Sequence, residues 1–246
     1  MKRALLLTAA LLLAATPVLA GGVNLNWGPT CWSQGMPQNL LTFACNTNTG
    51  SATMTISFAT SFDQPRFMGI EAKLEGLATG QTVPAWWQMA PGECRESAVS
   101  SSANFLSAPQ DVCLDIWGNR AVGGVIYIDR EPAGGTYLAR MTISYGLPAP
   151  ISIWAGVEYY GCQVTIDYRK TVDAGACANC LEDMWWGLCS VKVSGTDSYE
   201  LLSEAIPDGN PCLSWQVHSL PCGDFWCFGG LPARGSTWGQ IKSLYR

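Results

Sequence analysis

Val157-Glu158-Tyr159-Tyr160-Gly161-Cys162-Gln163-Val164-Thr165-Ile166-Asp167-Tyr168 is the stretch whose reading decides the fold. Tyr160, Cys162, Val164, Ile166 and Tyr168 fall on one face, and Gln163, Thr165 and Asp167 on the other. A period of two with one apolar face describes a β-strand with one buried side. The run leads into Gly175-Ala176-Cys177-Ala178-Asn179-Cys180, then Trp185-Trp186, Cys189 and a second alternating segment. A core strand that passes directly into a cysteine-rich turn organises a fold; it offers no chemistry of its own.

The same period recurs outward in both directions. Thr53 to Thr60 sets Met54, Ile56 and Phe58 against Thr53, Thr55 and Ser57. Phe67 to Leu74 sets Met68, Ile70, Ala72 and Leu74 against Glu71 and Lys73. Val125–Asp129 and Thr136–Tyr145 read as a pair, the second with Tyr137, Ala139, Met141, Ile143 and Tyr145 on one face. Leu188–Val193 and Leu213–Val217 complete the set. β-branched and aromatic runs separated by small polar turn clusters are what strands require. Helical periodicity is scarce. Thr237-Trp238-Gly239-Gln240 resembles a capping box, with Trp238, Ile241 and Leu244 at helical spacing, and predicts a short C-terminal helix. The fold class expected is all-β: an antiparallel β-sandwich with long disulfide-stapled loops and that short helix.

Lys2 and Arg3, the apolar run Ala4 to Ala15 and the small residues around Ala20 form a secretory signal peptide over residues 1–20. The run is too short for a membrane span. Removing it leaves 226 of the 246 residues, and 12 of the 14 basic residues against 19 acidic ones. No basic cluster survives, which argues against a nucleic-acid partner, and no later apolar run reaches transmembrane length. The expected organisation is a signal peptide at 1–20, a β-sandwich domain at 21–195, and an irregular cysteine-containing extension at 196–246 packed on it. The expected location is secreted, extracellular or periplasmic.

All 11 cysteines lie in the exported part, and in an oxidising compartment that density reads as disulfides. Proximity in sequence suggests Cys31–Cys45 and Cys94–Cys113, Cys189 with Cys177 or Cys180, and Cys222 with Cys212 or Cys227. The odd count leaves Cys162, on the apolar face of its strand, as the free thiol behaving as a small hydrophobe. Cys177, Cys180, Cys222 and Cys227 can be drawn as a four-thiolate zinc site, but zinc needs reduced thiols and export works against that. Thiol–disulfide exchange by the same pair needs a βαβ context that is lacking. No metal and no cofactor is expected.

Catalytic constellations are thin. His218 is the only histidine, and no Gly-x-Ser-x-Gly elbow accompanies it. Paired carboxylates for glycoside hydrolysis need no histidine, and Asp129 with Glu131 and Glu158 with Asp167 are the strand-borne candidates. Asn46-Thr47-Asn48-Thr49-Gly50 faintly echoes a calcium loop, but neutral amides between strands suit a hairpin turn better. Calcium near Asp208-Gly209-Asn210 is the weaker alternative.

Tryptophan is the unusual feature: there are 11, including Trp86-Trp87 and Trp185-Trp186. Adjacent residues on an extended chain face opposite ways, so one of each pair is expected inside and its neighbour on display. A displayed indole offers apolar area and a donor, suited to a sugar ring or a protein partner. Trp86, Trp87, Trp185 and Trp186 are therefore the candidate ligand contacts, against the alternative that they simply pack under long loops.

Gly22-Val23-Asn24-Leu25-Asn26-Trp27, Phe43-Ala44-Cys45-Asn46-Thr47-Asn48, Pro84-Ala85-Trp86-Trp87, Glu158-Tyr159-Tyr160, Gly175-Ala176-Cys177-x-x-Cys180 and Thr237-Trp238-Gly239-Gln240-Ile241-Lys242-Ser243-Leu244-Tyr245-Arg246 together resemble stretches that recur in a group of secreted bacterial proteins. The resemblance spans nearly the whole exported chain. It implies export and a single compact unit, and carries over no site. More distantly, the strand order resembles cohesin-like or carbohydrate-binding sandwiches, a likeness of architecture alone. The functional expectation is a secreted, non-catalytic binding or structural protein whose partner is a polysaccharide or a cell-surface protein. The alternative is a secreted carbohydrate-active hydrolase using Asp129, Glu131, Glu158 or Asp167.

Overall fold

The computed structural model describes residues 21–31, 33, 38–80, 82–104, 113–128, 139–206 and 209–216. The signal peptide, Asp129, Glu131, Asp208, His218, Cys222, Cys227 and the C-terminal helix expected from the sequence lie outside them. Twelve strands run through the described residues: β1 (Gly22–Trp27), β2 (Leu40–Leu41), β3 (Ser51–Ala59), β4 (Gln64–Ala78), β5 (Val99–Ser102), β6 (Leu114–Asp115), β7 (Val122–Ile128), β8 (Ala139–Ile153), β9 (Tyr159–Asp167), β10 (Met184–Gly195), β11 (Tyr199–Leu202) and β12 (Cys212–Trp215).

The protein is all-β, built as two sheets. One sheet has the order β1-β3-β9-β5, with β6 also on β9; the other runs β2-β12-β10-β4-β8-β7, with β11 also on β10. Every ladder is antiparallel except β6–β9 and β2–β12. The faces read from the sequence are largely the faces observed. Met54, Ile56 and Phe58 of β3, Ala139, Met141, Ile143 and Tyr145 of β8, and Cys162, Val164 and Ile166 of β9 are all buried.

Strand β4 departs from its expected alternation. Ile70, Ala72 and Leu74 face the core, but the register against β8 shifts between Phe67 and Gly69. Such a bulge moves the side chains beyond it to the other face. Phe67 is consequently buried, while Met68 is only half-buried. Gly69 permits the close approach at this point, since a Cβ there would meet the Tyr145 carbonyl at 2.3 Å.

The buried faces of the two sheets contribute to one hydrophobic core. Phe58 of the first sheet lies 6.3 Å from Phe67 of the second, and Trp117 bridges Phe67 at 5.7 Å and Tyr145 at 6.2 Å. The Trp117 indole donates to the Tyr160 and Gly161 carbonyls, so its polar edge is satisfied in the core. Strand β1 was not picked out from the sequence, although Val23, Leu25 and Trp27 alternate with Asn24 and Asn26; what that pattern hides is that the two asparagines are buried as well. Each is paired: Asn24 Oδ1 accepts from Asn210 N at 2.9 Å, and Asn26 Oδ1 from Gln38 N at 2.6 Å. Buried amides of this kind are tolerated because they are hydrogen-bonded.

The bridges are Cys31–Cys113, Cys45–Cys180 and Cys94–Cys177, with sequence separations of 82, 135 and 83. Cys189 and Cys212 are disulfide-bonded as well. The expected Cys31–Cys45 and Cys94–Cys113 pairs are therefore wrong, as is Cys189 with Cys177 or Cys180. Strand β9 supplies the reason. Ser51 sits opposite Asp167 and Val99 opposite Ile166, so the chain preceding β3 and the chain preceding β5 both lie beside the segment that follows β9. Cys45 and Cys94 therefore meet Cys180 and Cys177. At the other end, Leu114 pairs Tyr159, and Ser33 bonds Glu158, which brings Cys113 to Cys31. Register sets the partners here, and proximity in sequence does not.

Cys162 is free and fully buried, as expected from its face. Burial pushes its thiol up to about 12, so it stays protonated and inert at neutral pH.

Among the described residues no helix is long and apolar enough to cross a membrane. Disulfides of this number form and persist in oxidising compartments. Each of the three long loops closed by these bridges is worth about 4–5 kcal/mol in the chain-entropy limit. Full reduction is expected to unfold the protein or to lower its melting temperature sharply in a thermal scan; an unchanged melt in strong reductant would show that the bridges do not carry stability.

Candidate functional site

Three of the four tryptophans nominated from the sequence, Trp86, Trp87 and Trp186, are core residues, and Trp185 is half-buried. Pro84-Ala85-Trp86-Trp87 is not extended: Ala85–Trp87 forms a single 3₁₀ turn, and both indoles are fully buried. The argument that neighbours face opposite ways holds only for extended backbone. Trp86 stacks on Trp215 with centroids 4.7 Å apart, and Trp87 meets Trp86 edge-on at 5.1 Å and Trp186 at 5.5 Å. Trp186 is buried on β10, while Trp185 is half-buried with its indole nitrogen inside. The alternation expected of this second pair is present, because β10 is a strand there. Trp86, Trp87 and Trp186 nonetheless offer nothing to a ligand.

Arg95 holds this cluster together. Its guanidinium is fully buried, 3.5 Å from the Trp86 ring centroid, and donates to three carbonyls: Trp86 O at 2.7 Å, Arg169 O at 3.0 Å and Asp167 O. Burial lowers its pKa to about 10, partly offset by the Asp167 carboxylate. Saturating a buried cation with carbonyls and an aromatic face is what makes it tolerable. The excursion between β4 and β5 is thereby locked to the end of β9, beside the Cys94–Cys177 bridge.

The Asn46–Gly50 turn serves the same loop. Asn48 Oδ1 accepts from Thr171 N at 2.8 Å and Val172 N at 3.0 Å, while its Nδ2 donates to Val172 O and Asp173 Oδ2. Its amide is spent on backbone rather than on calcium. Near the other expected calcium position, Asn210 Oδ1 accepts from Cys212 N at 2.8 Å. Among the described residues no group of three or more His, Cys, Asp or Glu side chains is arranged to hold a metal ion.

The carboxylates are also dispersed. Glu158 and Asp167 sit at opposite ends of β9, nine residues apart, which is roughly 30 Å of strand. A glycosidase pair needs about 5–10 Å. Glu158 accepts from Ser33 N at 3.1 Å, from the Ser33 hydroxyl, and from Ser57 Oγ at 2.5 Å. Asp167 is paired with Arg169, whose Nε lies 2.7 Å from Oδ1. These two residues do not form a catalytic pair.

Displayed aromatic side chains lie elsewhere: besides Tyr199 on β11, two stand at the rim where β3 turns into β4 and β8 turns into β9. Among the described tryptophans only Trp154 is exposed, at 58%, and Phe62 in the adjoining turn is 48% exposed. Gln64 pairs with Ile153, so the two turns continue side by side. The Trp154 turn is pinned at three consecutive amides. Trp154 N donates to Tyr159 Oη at 2.7 Å, Ala155 N to Asp63 Oδ1 at 2.9 Å, and Gly156 N to Thr60 O at 2.9 Å. Gly156 closes the turn at φ +71°, a conformation that favours glycine. The Phe62 turn is fixed in its own right, since Ser61 N donates to Glu200 Oε1 at 2.9 Å and Gln64 Nε2 to Oε2 at 3.4 Å. Burial raises the Tyr159 phenol above its ordinary range, so the hydroxyl remains a neutral hydrogen-bonding group.

The sequence reading missed this site. Trp154 stands alone in Ile151-Ser152-Ile153-Trp154-Ala155-Gly156, and its one available signal is a turn glycine two residues further on. No family model, curated protein or solved structure matches the chain.

Replacing Arg95 with methionine keeps an apolar stem against Trp86 but strands three buried carbonyls. Urea denaturation is expected to show a loss of about 3–5 kcal/mol at constant m-value. A loss below about 1 kcal/mol would mean that the carbonyls find other partners.

Proposed function

We propose that this is a secreted, non-catalytic binding protein, a β-sandwich that holds a carbohydrate ligand on Trp154 and Phe62. The observation that carries the reading is Trp154 itself, an exposed indole on a turn whose three successive amides are all hydrogen-bonded. A large apolar ring kept in water on rigid backbone loses little conformational entropy on binding. An indole face suits the apolar face of a pyranose, and its N–H suits a sugar hydroxyl. Disulfides joining distant segments suit an extracellular or periplasmic working place. The wide separation of Glu158 and Asp167 supports binding over hydrolysis.

A glycan array probed with the oxidised protein, followed by titration of any hit, tests the proposal. Trp154→Ala is expected to weaken binding by about tenfold or more, the scale of an aromatic anchor, without changing the melting temperature. Phe62→Ala should weaken it less. Glycan cleavage, or binding indifferent to both substitutions, would overturn the reading.

A further inference from the structure

The outward face of the second sheet is buried at one end and open at the other. Opposed residues in an antiparallel ladder share a face, so Cys212, Gly187, Glu75 and Arg140 form one row across β12, β10, β4 and β8. Leu74, next to Glu75 on β4, points into the core, so this row points away from it. Cys212 and Glu75 are nonetheless only 2% and 1% exposed. Lys73 and Arg140 both reach Glu75 Oε1, at 2.8 and 2.9 Å, so what is covered is an ion cluster. Four residues back along β4, on the same face, Glu71 opposes Lys192 and Ser144, and all three are exposed. One face of an antiparallel sheet commonly meets water. Chain from elsewhere therefore covers the first row and stops short of the second.

The cysteines identify that chain. Cys189 and Cys212 are both disulfide-bonded and buried, yet neither belongs to the core cluster. Cys212 lies in the outward row. Cys189 sits in a bulge of β10, between Leu188 opposite Leu74 and Ser190 opposite Lys73, where the extra residue leaves the ladder. The other described cysteines are six in three bridges and the free Cys162. Cys189 and Cys212 do not bond each other. Cys212 stands opposite Gly187, which sets Cys189 on the diagonal, about 7–8 Å away between Cα atoms. A bridge spans about 4.4–6.8 Å. Of the 11 cysteines, Cys222 and Cys227 are left to be the partners.

We infer that residues 217–246 dock on the outward face of the second sheet, fastened by two bridges in which Cys189 and Cys212 each take one of Cys222 and Cys227. The reach suffices. Cys222 follows Gln216 by six residues, about 20 Å of extended chain, whereas Trp215 back to Cys212 is about 10 Å of strand. The composition of the segment suits the face. Leu220, Phe225, Trp226 and Phe228 supply apolar area, and Asp224, between the two cysteines, brings a carboxylate to a row that holds Lys73 and Arg140. The two bridges clamp β10 and β12, already paired, to one short stretch of chain. Neither the Trp154 turn nor the proposed ligand enters this inference.

Pepsin digestion of the unreduced full chain, read by mass spectrometry, tests the connectivity. The expected map links peptides holding Cys189 and Cys212 to peptides holding Cys222 and Cys227, with the chain monomeric on non-reducing electrophoresis. A Cys189–Cys212 bridge, a Cys222–Cys227 bridge, or the expected links found in a covalent dimer would each overturn it. Carbodiimide labelling of carboxylates tests the cover. In the native protein Glu71 should label about tenfold or more faster than Glu75. The full chain carrying both Cys222→Ser and Cys227→Ser should lose that protection at Glu75, while Glu200, buried on β11, keeps its own. Glu75 still protected in that variant would mean that another part of the chain covers the row, and would overturn the docking. Loss of protection at both glutamates would mean that the variant has unfolded, and the native disulfide map then decides.

Discussion

The two ladders on either side of β9 are the constraint from which the rest follows. Strand β9 pairs β3 along one edge and β5 along the other, with β6 alongside its start. Those registers decide which distant segments become neighbours, and so they decide the disulfides. They also place the carbonyls of Asp167 and Arg169 where the Arg95 guanidinium can reach both. Arg95 then fixes Trp86, and Trp86 fixes the aromatic cluster that closes this end of the core. Backbone pairing comes first in this hierarchy; the covalent and cationic clamps secure what it has brought together.

The two ends of β9 are used differently. Beyond Asp167 the chain enters a loop held by two bridges, Asn48 and Arg95, with its aromatic neighbours buried. Before Tyr159 the chain makes the Trp154 turn, where the hydrogen bonds fix the backbone and leave the indole in solvent. Trp86 and Trp154 are the same residue type under opposite demands. One satisfies its N–H on Thr171 Oγ1 inside the core, and the other keeps its ring available. The local backbone decides between the two: a 3₁₀ turn tucked under the sheets in one case, and a pinned rim turn in the other.

The period of two made β3, β4, β8, β9 and β10 legible, because each has one apolar face and a polar or exposed opposite. At β1 the alternation of Val23, Leu25 and Trp27 with Asn24 and Asn26 is present but went unread, and it cannot tell that both asparagines are buried against loop partners. It failed at Phe67 and Met68, where a bulge exchanges the faces. The disulfide partners were illegible because they depend on strand order, which no local pattern contains. Counting tryptophans pointed to the doublets, of which Trp86, Trp87 and Trp186 are core and Trp185 is half-buried; the fully displayed indole, Trp154, is a single residue elsewhere. Burial is a tertiary property, so residue type alone located the aromatic wealth but not the aromatic surface.

Hydroxyl-radical footprinting read by mass spectrometry at each tryptophan most directly tests the claim that Trp86, Trp87 and Trp186 are core and Trp154 is surface. The account predicts that Trp154 oxidises much faster than Trp86, Trp87 or Trp186 in the native, oxidised protein, and that unfolding brings all four to similar rates. Comparable native rates at Trp86 and Trp154 would contradict it, because the caged cluster around Arg95 would then be open to solvent and the rim would hold no special place.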